Sequence, residues 1–177
     1  IGCEDALVGR GKYCDYPESI SALPVVQSGA ETNIEEILAL DPQVVLMSDM
    51  SQTEEQAKLL EQNGVKVVIS DANDIAGVYT AIRMIGALMA KDDAAEALIG
   101  DMQATFDEIA AKSEKSGKTI YFEVSPLQWG LWTAGSGTFM DELATMCGVT
   151  NAFADISGWQ SVSEEQVIER SPDYLSL

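Results

Sequence analysis

A fifteen-residue stretch occurs twice in this chain, and that recurrence limits the folds open to it. The run Asn33-Ile-Glu-Glu-Ile-Leu-Ala-Leu-Asp-Pro-Gln-Val-Val-Leu-Met47 aligns without a gap on Ser163-Glu-Glu-Gln-Val-Ile-Glu-Arg-Ser-Pro-Asp-Tyr-Leu-Ser-Leu177. Glu35 pairs with Glu165, Ile37 with Val167, Leu38 with Ile168 and Pro42 with Pro172, at a constant offset of 130 residues. Each copy reads as a capped helix, a proline that cannot continue it, and a strand, so two lobes of related build are expected. After Met47 the first copy runs on into another helix and strand, whereas the second stops at Leu177. The second lobe opens with a strand and a helix near Thr138–Cys147 that the first lacks in front of its copy. Both lobes are therefore expected to be incomplete, at opposite ends.

The rest of the chain alternates short apolar, β-branched runs with helix-length amphipathic ones, the pattern of an α/β protein with parallel sheets. Strands are expected at Ala6–Gly9, Val44–Met47, Val65–Ile69, Thr119–Val124 and Tyr174–Leu177. Asn33 to Glu36, Ser51 to Glu54 and Ser163 to Gln166 each have the spacing of a capping box, in which two side chains satisfy orphan N–H groups at a helix start. From Asp74 a helical stripe of Val78, Ile82, Ile85 and Met89 runs to a break at Lys91-Asp92-Asp93. A second helix follows, with Ala95, Leu98, Ile99, Met102, Phe106 and Ile109 on one face. At 1.5 Å per residue, about 20 residues span roughly 30 Å, long enough to run from one lobe to the next.

Charge and residue usage exclude several functions. Ten Lys and Arg stand against 29 Asp and Glu, a net charge of −19 that repels a phosphate backbone, so nucleic acid is not a partner. Histidine is absent, which removes Ser-His-Asp and Cys-His catalysis and His-containing zinc sites. No HExxH, GxSxG or DxDxDG arrangement occurs among the many carboxylates, and no catalytic or metal-ligating set can be assembled. No apolar run approaches the roughly 20 residues of a membrane span. The three cysteines have no CxxC spacing; a Cys3–Cys14 bridge and unpaired, buried thiols both stay open.

Two features point to ligands. Thr133-Ala-Gly-Ser-Gly-Thr-Phe139 places glycines before a helix, where N–H groups and the dipole favour an anion, yet Met140 stands where a dinucleotide fingerprint needs its third glycine. A tight turn with Thr138 as N-cap is the favoured reading, and a nucleotide-binding α/β enzyme using the Gly135 loop is the alternative. Tyr13, Tyr16, Trp129, Trp132 and Trp159 fall in segments expected to be loops. Aromatics on loops at the carboxyl ends of strands suit a flat hydrophobic ligand held between ring faces.

Leu7-Val-Gly9 with Tyr13-Cys-Asp-Tyr-Pro17, the run Asn33 to Pro42, Thr133-Ala-Gly135, and Gln166-Val-Ile168 with Ser171-Pro-Asp173 resemble the substrate-binding proteins of ABC importers for cobalamin, ferric siderophores and haem. The resemblance implies an α/β fold of two Rossmann-like lobes with mainly parallel sheets joined by a long α-helix. It implies a first lobe at residues 1–91, the interlobe helix at 92–116 and a second lobe at 117–177. It also implies a metal chelate, a cobalamin-like corrinoid or ferric siderophore, bound between the lobes against Tyr13, Trp129, Trp132 and Trp159. Gly29 stands where an aromatic is expected in the cobalamin binders. Glu35 and Glu165 resemble the two acidic residues that dock on arginines of an ABC permease, and the internal repeat pairs the same two residues independently. Such a protein is not an enzyme, carries no cofactor of its own and works outside the cytoplasm, periplasmic or lipid-anchored, after a signal segment absent from this chain. The open sheet edges of two incomplete lobes make a homodimer an added expectation.

Overall fold

A computed structural model describes residues 1–28, 32–49, 53–125 and 127–177. The chain divides into two compact units, Ile1–Asp71 and Ala72–Leu177. Both are α/β, and among the described residues three of the four sheets are parallel.

In the first unit, β1 (Arg10–Gly11) pairs with β2 (Val25–Val26), and β3 (Val44–Ser48) pairs with β4 (Lys66–Ser70) from Val44↔Lys66 to Ser48↔Ser70. α1 (Ile34–Ala39) and α2 (Thr53–Gln62) supply Ile37 and Leu60, which with Val65 form a buried core carrying Leu38, Val45 and Met47 around it. Each such aliphatic side chain contributes about 1.5–3 kcal/mol on burial. The expected strand at Ala6–Gly9 does not form. Glu4–Ala6 make a 3₁₀ turn, Leu7 and Val8 stay exposed, and pairing begins only at Arg10. Three apolar residues in a row do not make a strand here, because Ala6, Leu7 and Val8 all remain exposed. Just before the pairing, a Cβ at Gly9 would lie 2.5 Å from Leu40 Cδ1, so a larger residue there would make the Leu40 side chain shift.

In the second unit, α3 (Ile75–Leu88) packs on α4 (Asp92–Lys112) through Gly86, where a Cβ would come within 2.6 Å of that of Ala95. Arg83 forks onto Glu96 at 2.6 and 3.1 Å. α4 ends at Lys112, where the polar stretch Lys112–Lys118 begins, and so stops short of residue 116. β5 (Thr119–Phe122) lies between β7 (Thr150–Asn151) and β9 (Tyr174–Ser176), all parallel. β6 (Trp132–Ala134) and β8 (Trp159–Ser161) form an antiparallel pair, and α5 (Phe139–Met146) and α6 (Glu164–Arg170) complete the unit. Tyr121 and Phe153 pack ring to ring at 5.6 Å in its core, and burial pushes the Tyr121 phenol above its ordinary pKa, helped by the Glu123 charge. Arg170 stacks over Phe153 at 4.2 Å while its fork holds Asp155 at 2.5 and 2.8 Å, tying α6 to the loop after β7.

The internal repeat is visible in the backbone. Asn33 and Ser163 cap α1 and α6, and residues 41 and 171 turn left-handed ahead of Pro42 and Pro172. Only Ser163 makes the full reciprocal box with Gln166; at Asn33 the side chain accepts from Glu35 and Glu36, while the Glu36 carboxylate turns to the Gln27 N–H. The third expected box, Ser51 to Glu54, begins at Ser51 and Gln52, which lie outside the described residues, as does Gly29. All three cysteines are free. Cys3 sits at the head of the 3₁₀ turn with its thiol on the Ile1 carbonyl, and Cys14 and Cys147 are exposed rather than buried. No helix among the described residues is long and apolar enough to cross a membrane.

Candidate functional site

The sequence places Trp132 and Trp159 in loops; the structure places them on paired strands. Trp132 opposes Ser161, Thr133 opposes Gln160, and Ala134 opposes Trp159. Opposed residues share a face and residues alternate along a strand, so Trp132, Ala134 and Trp159 stand on one side, with Trp132 and Trp159 diagonal neighbours about 7–8 Å apart. Ala134 is fully buried opposite Trp159, whereas Trp132 stays exposed. Trp132 also bridges to Ser125, and its carbonyl accepts from the Val124 N–H, which fixes the pair at the carboxyl end of β5. Ligands of α/β sheets gather at such ends.

Below the sheet, buried Asn151 donates to the Ala134 carbonyl and to Asp141, and its side-chain oxygen accepts from the Phe153 N–H. Trp129 stands on the 3₁₀ turn Leu127–Trp129 with 73% of its surface exposed, against 43% for Trp132. In the first unit, Tyr13 lies on the turn after β1, 83% exposed, with Lys12 over its ring at 5.5 Å. Arg10 holds the end of that turn through the Cys14 carbonyl at 2.9 Å.

Glu35 and Glu165 are exposed, each the second residue of its helix. Hydrogen bonds from its own backbone N–H and from Ser163 hold the Glu165 carboxyl below its ordinary pKa. Two residues that sequence reasoning missed belong to the Trp159 site. Asn73 Oδ1 accepts from the Trp159 indole N–H at 3.1 Å, and Phe139 lies tilted on the indole at 5.7 Å. Asn73 lies 86 residues away in sequence, and only its position just before the Asp74 N-cap hinted at a junction.

The Gly135 loop is a tight turn. Four of its N–H groups are already used: Gly135 on Gly158, Ser136 on Ile156, Phe139 on Asn73, and Asp141 on Thr138 Oγ1. A Cβ at Gly135 would lie 2.3 Å from the Ile156 carbonyl oxygen, so its glycine serves chain crossing and not phosphate approach. Nothing supports a nucleotide there. Among the described residues no cluster of His, Cys, Asp or Glu is placed to hold a metal ion. An open groove of about 490 Å³ between α3 and α5 is lined by Ile75, Tyr79 and Met146 and by none of the candidate aromatics.

The ABC transporter substrate-binding lipoprotein YvrC of Bacillus subtilis is 30% identical over 99% of this chain and 57% of its own length. The vitamin B12-binding protein of Salmonella typhimurium is 32% identical over 95% of this chain and 63% of its own. This chain thus spans about three fifths of the length of these relatives. A crystal structure of a possible iron-binding (periplasmic solute-binding) protein from Staphylococcus epidermidis superposes with a TM-score of 0.80 and 29% identity, covering 98% of this chain and 69% of that one. With the periplasmic binding protein model matching residues 1–177, the chain belongs to the periplasmic binding protein family.

Proposed function

We propose that this chain is the capture component of an ABC importer, taking a metal chelate, a cobalamin-like corrinoid or a ferric siderophore, between two lobes and delivering it to a permease outside the cytoplasm. The observation that carries this is the pair of indoles, Trp132 and Trp159, diagonal to each other on one face of β6 and β8 at the end of a parallel sheet. Trp129, and Tyr13 in the first unit, are the further ligand-contacting aromatics in this reading, and the vitamin B12-binding and possible iron-binding relatives fit the same cargo class. Glu35 and Glu165 are the docking anions, exposed and equivalently set on repeated helices. The chelate is cargo, held without chemistry.

Residues 1–91 and 117–177 are the lobes in this reading and 92–116 the connector, although the compact units divide earlier, after Asp71, because α3 packs on α4. Self-association through the side of β9 that no described strand pairs with is part of the same proposal. Native mass spectrometry after incubation with cyanocobalamin, haem and ferrichrome tests the cargo class. A one-to-one adduct with one of them is expected, and bare protein with all three refutes the reading.

A further inference from the structure

The sheet alone does not fix how a half-exposed strand tryptophan points; a second contact does so at Trp159. Its indole N–H donates to Asn73 Oδ1 at 3.1 Å, and the Phe139 ring backs it at 5.7 Å. Asn73 is held at a dense junction. Asp74 caps α3 through the Gly77 N–H at 2.6 Å, Glu142 takes the Ile75 N–H at 2.8 Å, and the Asn73 carbonyl takes the Phe139 N–H at 2.7 Å. That last bond uses the backbone, so it clasps the start of α3 to the start of α5 whatever side chain residue 73 carries. Separately from that backbone bond, the side-chain oxygen accepts from the indole N–H.

Resting on the reading of Trp159 as part of the ligand site, we propose that Asn73 is a positioning residue that holds the Trp159 ring in one orientation before a ligand arrives. A ring fixed in advance loses less rotamer freedom on binding, and that saving appears as affinity. One such hydrogen bond and one immobilised side chain correspond to a three- to tenfold effect on Kd, roughly.

The test separates the ring from the ligand. In a Trp129→Phe, Trp132→Phe background, Trp159 is the sole emitter. Asn73→Ala is expected to lower its emission anisotropy and raise its quenching by acrylamide, and Asn73→Asp, which keeps an acceptor oxygen, to restore both. In the protein with all three tryptophans, Asn73→Ala is expected to raise the Kd for cyanocobalamin about three- to tenfold, with Asn73→Asp close to the parent. Unchanged anisotropy and quenching in Asn73→Ala overturn the proposal. So does a freed ring with unchanged affinity where Trp159→Ala does lose affinity. Absence of cyanocobalamin binding by the parent protein counts against the corrinoid reading instead, and the emission measurements still decide the role of Asn73.

Discussion

Ser171 turns the backbone left-handed at φ 45°, 130 residues after Asp41 does the same at φ 50°. Both end a capped helix and stand just before a proline and a strand, so one local solution to a helix-to-strand turn is used twice. A Cβ at such a position costs about 1–2 kcal/mol, which glycine escapes. Ser171→Gly and Asp41→Gly are expected to be neutral or mildly stabilising. Ser171→Val is expected to lose about 1–2 kcal/mol. Urea midpoints at constant m-value measure this, and a Val variant as stable as its parent contradicts it.

The indole pair predicts which tryptophans report binding. Adding a corrinoid or ferric chelate is expected to quench emission, and Trp159→Ala or Trp132→Ala to weaken affinity about tenfold, as for a central aromatic at an interface. Equal affinity in both variants, measured by titration calorimetry, removes the β6–β8 face from the site.

What was legible in the sequence was local. Caps at Asn33 and Ser163, the proline turns and the long strand runs at β3 and β4 announce themselves within a few residues. β6 and β8 do not, because three residues carry no readable alternation. Their register is set by distant backbone bonds, Gly135 to Gly158 and Ser136 to Ile156. The aromatic types at Trp132 and Trp159 were visible, but their shared face depended on that pairing. Asn73 was invisible for the same reason, since a single polar residue gives no sign of an indole 86 positions on.

Docking is a separate matter from cargo. Glu35→Arg or Glu165→Arg is expected to slow association with the permease about tenfold or more at low salt while leaving chelate affinity unchanged, because exposed charges act on encounter and register. The Glu165 carboxyl is held low by its hydrogen bonds, so its charge persists below the pH at which an ordinary glutamate protonates. Transport in proteoliposomes that is unaffected by the double reversal would exclude both residues from docking.

Acid is expected to loosen the second unit through two aspartates. Asp173 joins Lys118 at 2.5 Å and takes the Thr119 N–H at 2.9 Å, and the Lys118 hydrogen bond leads the lowering of its pKa; Arg170 does the same for Asp155. A depressed native pKa means stability present above the unfolded value of about 3.9 and lost as pH falls through the native one. Asp173→Asn and Asp155→Asn are therefore expected to be less stable at pH 7 and to show a flatter stability profile below about pH 4 than the parent. Parallel profiles in thermal melts from pH 7 to 2.5 would show that these pairs do not set acid sensitivity.

β9 raises the question of self-association. It pairs with β5 from Ile120↔Tyr174 to Phe122↔Ser176, and no described strand lies on its other side. Tyr174, Leu175 and Leu177 are exposed, and Ile168 is 74% exposed, whereas Leu38, its counterpart in the repeat, packs on the core of Ile37, Leu60 and Val65. In the first unit, β4 and α2 cover the equivalent strand and helix; here the same apolar positions face solvent. An unpaired edge with apolar neighbours is a template for another strand. Two copies related by a two-fold axis present that edge to each other, β9 against β9. The 177-residue chain is expected to sediment as a dimer at tens of micromolar, and Ile168→Lys with Leu175→Lys to return it to 19.0 kDa. A 19.0 kDa monomer of the parent by light scattering, with amides at Tyr174–Leu177 strongly protected from exchange, rules the dimer out.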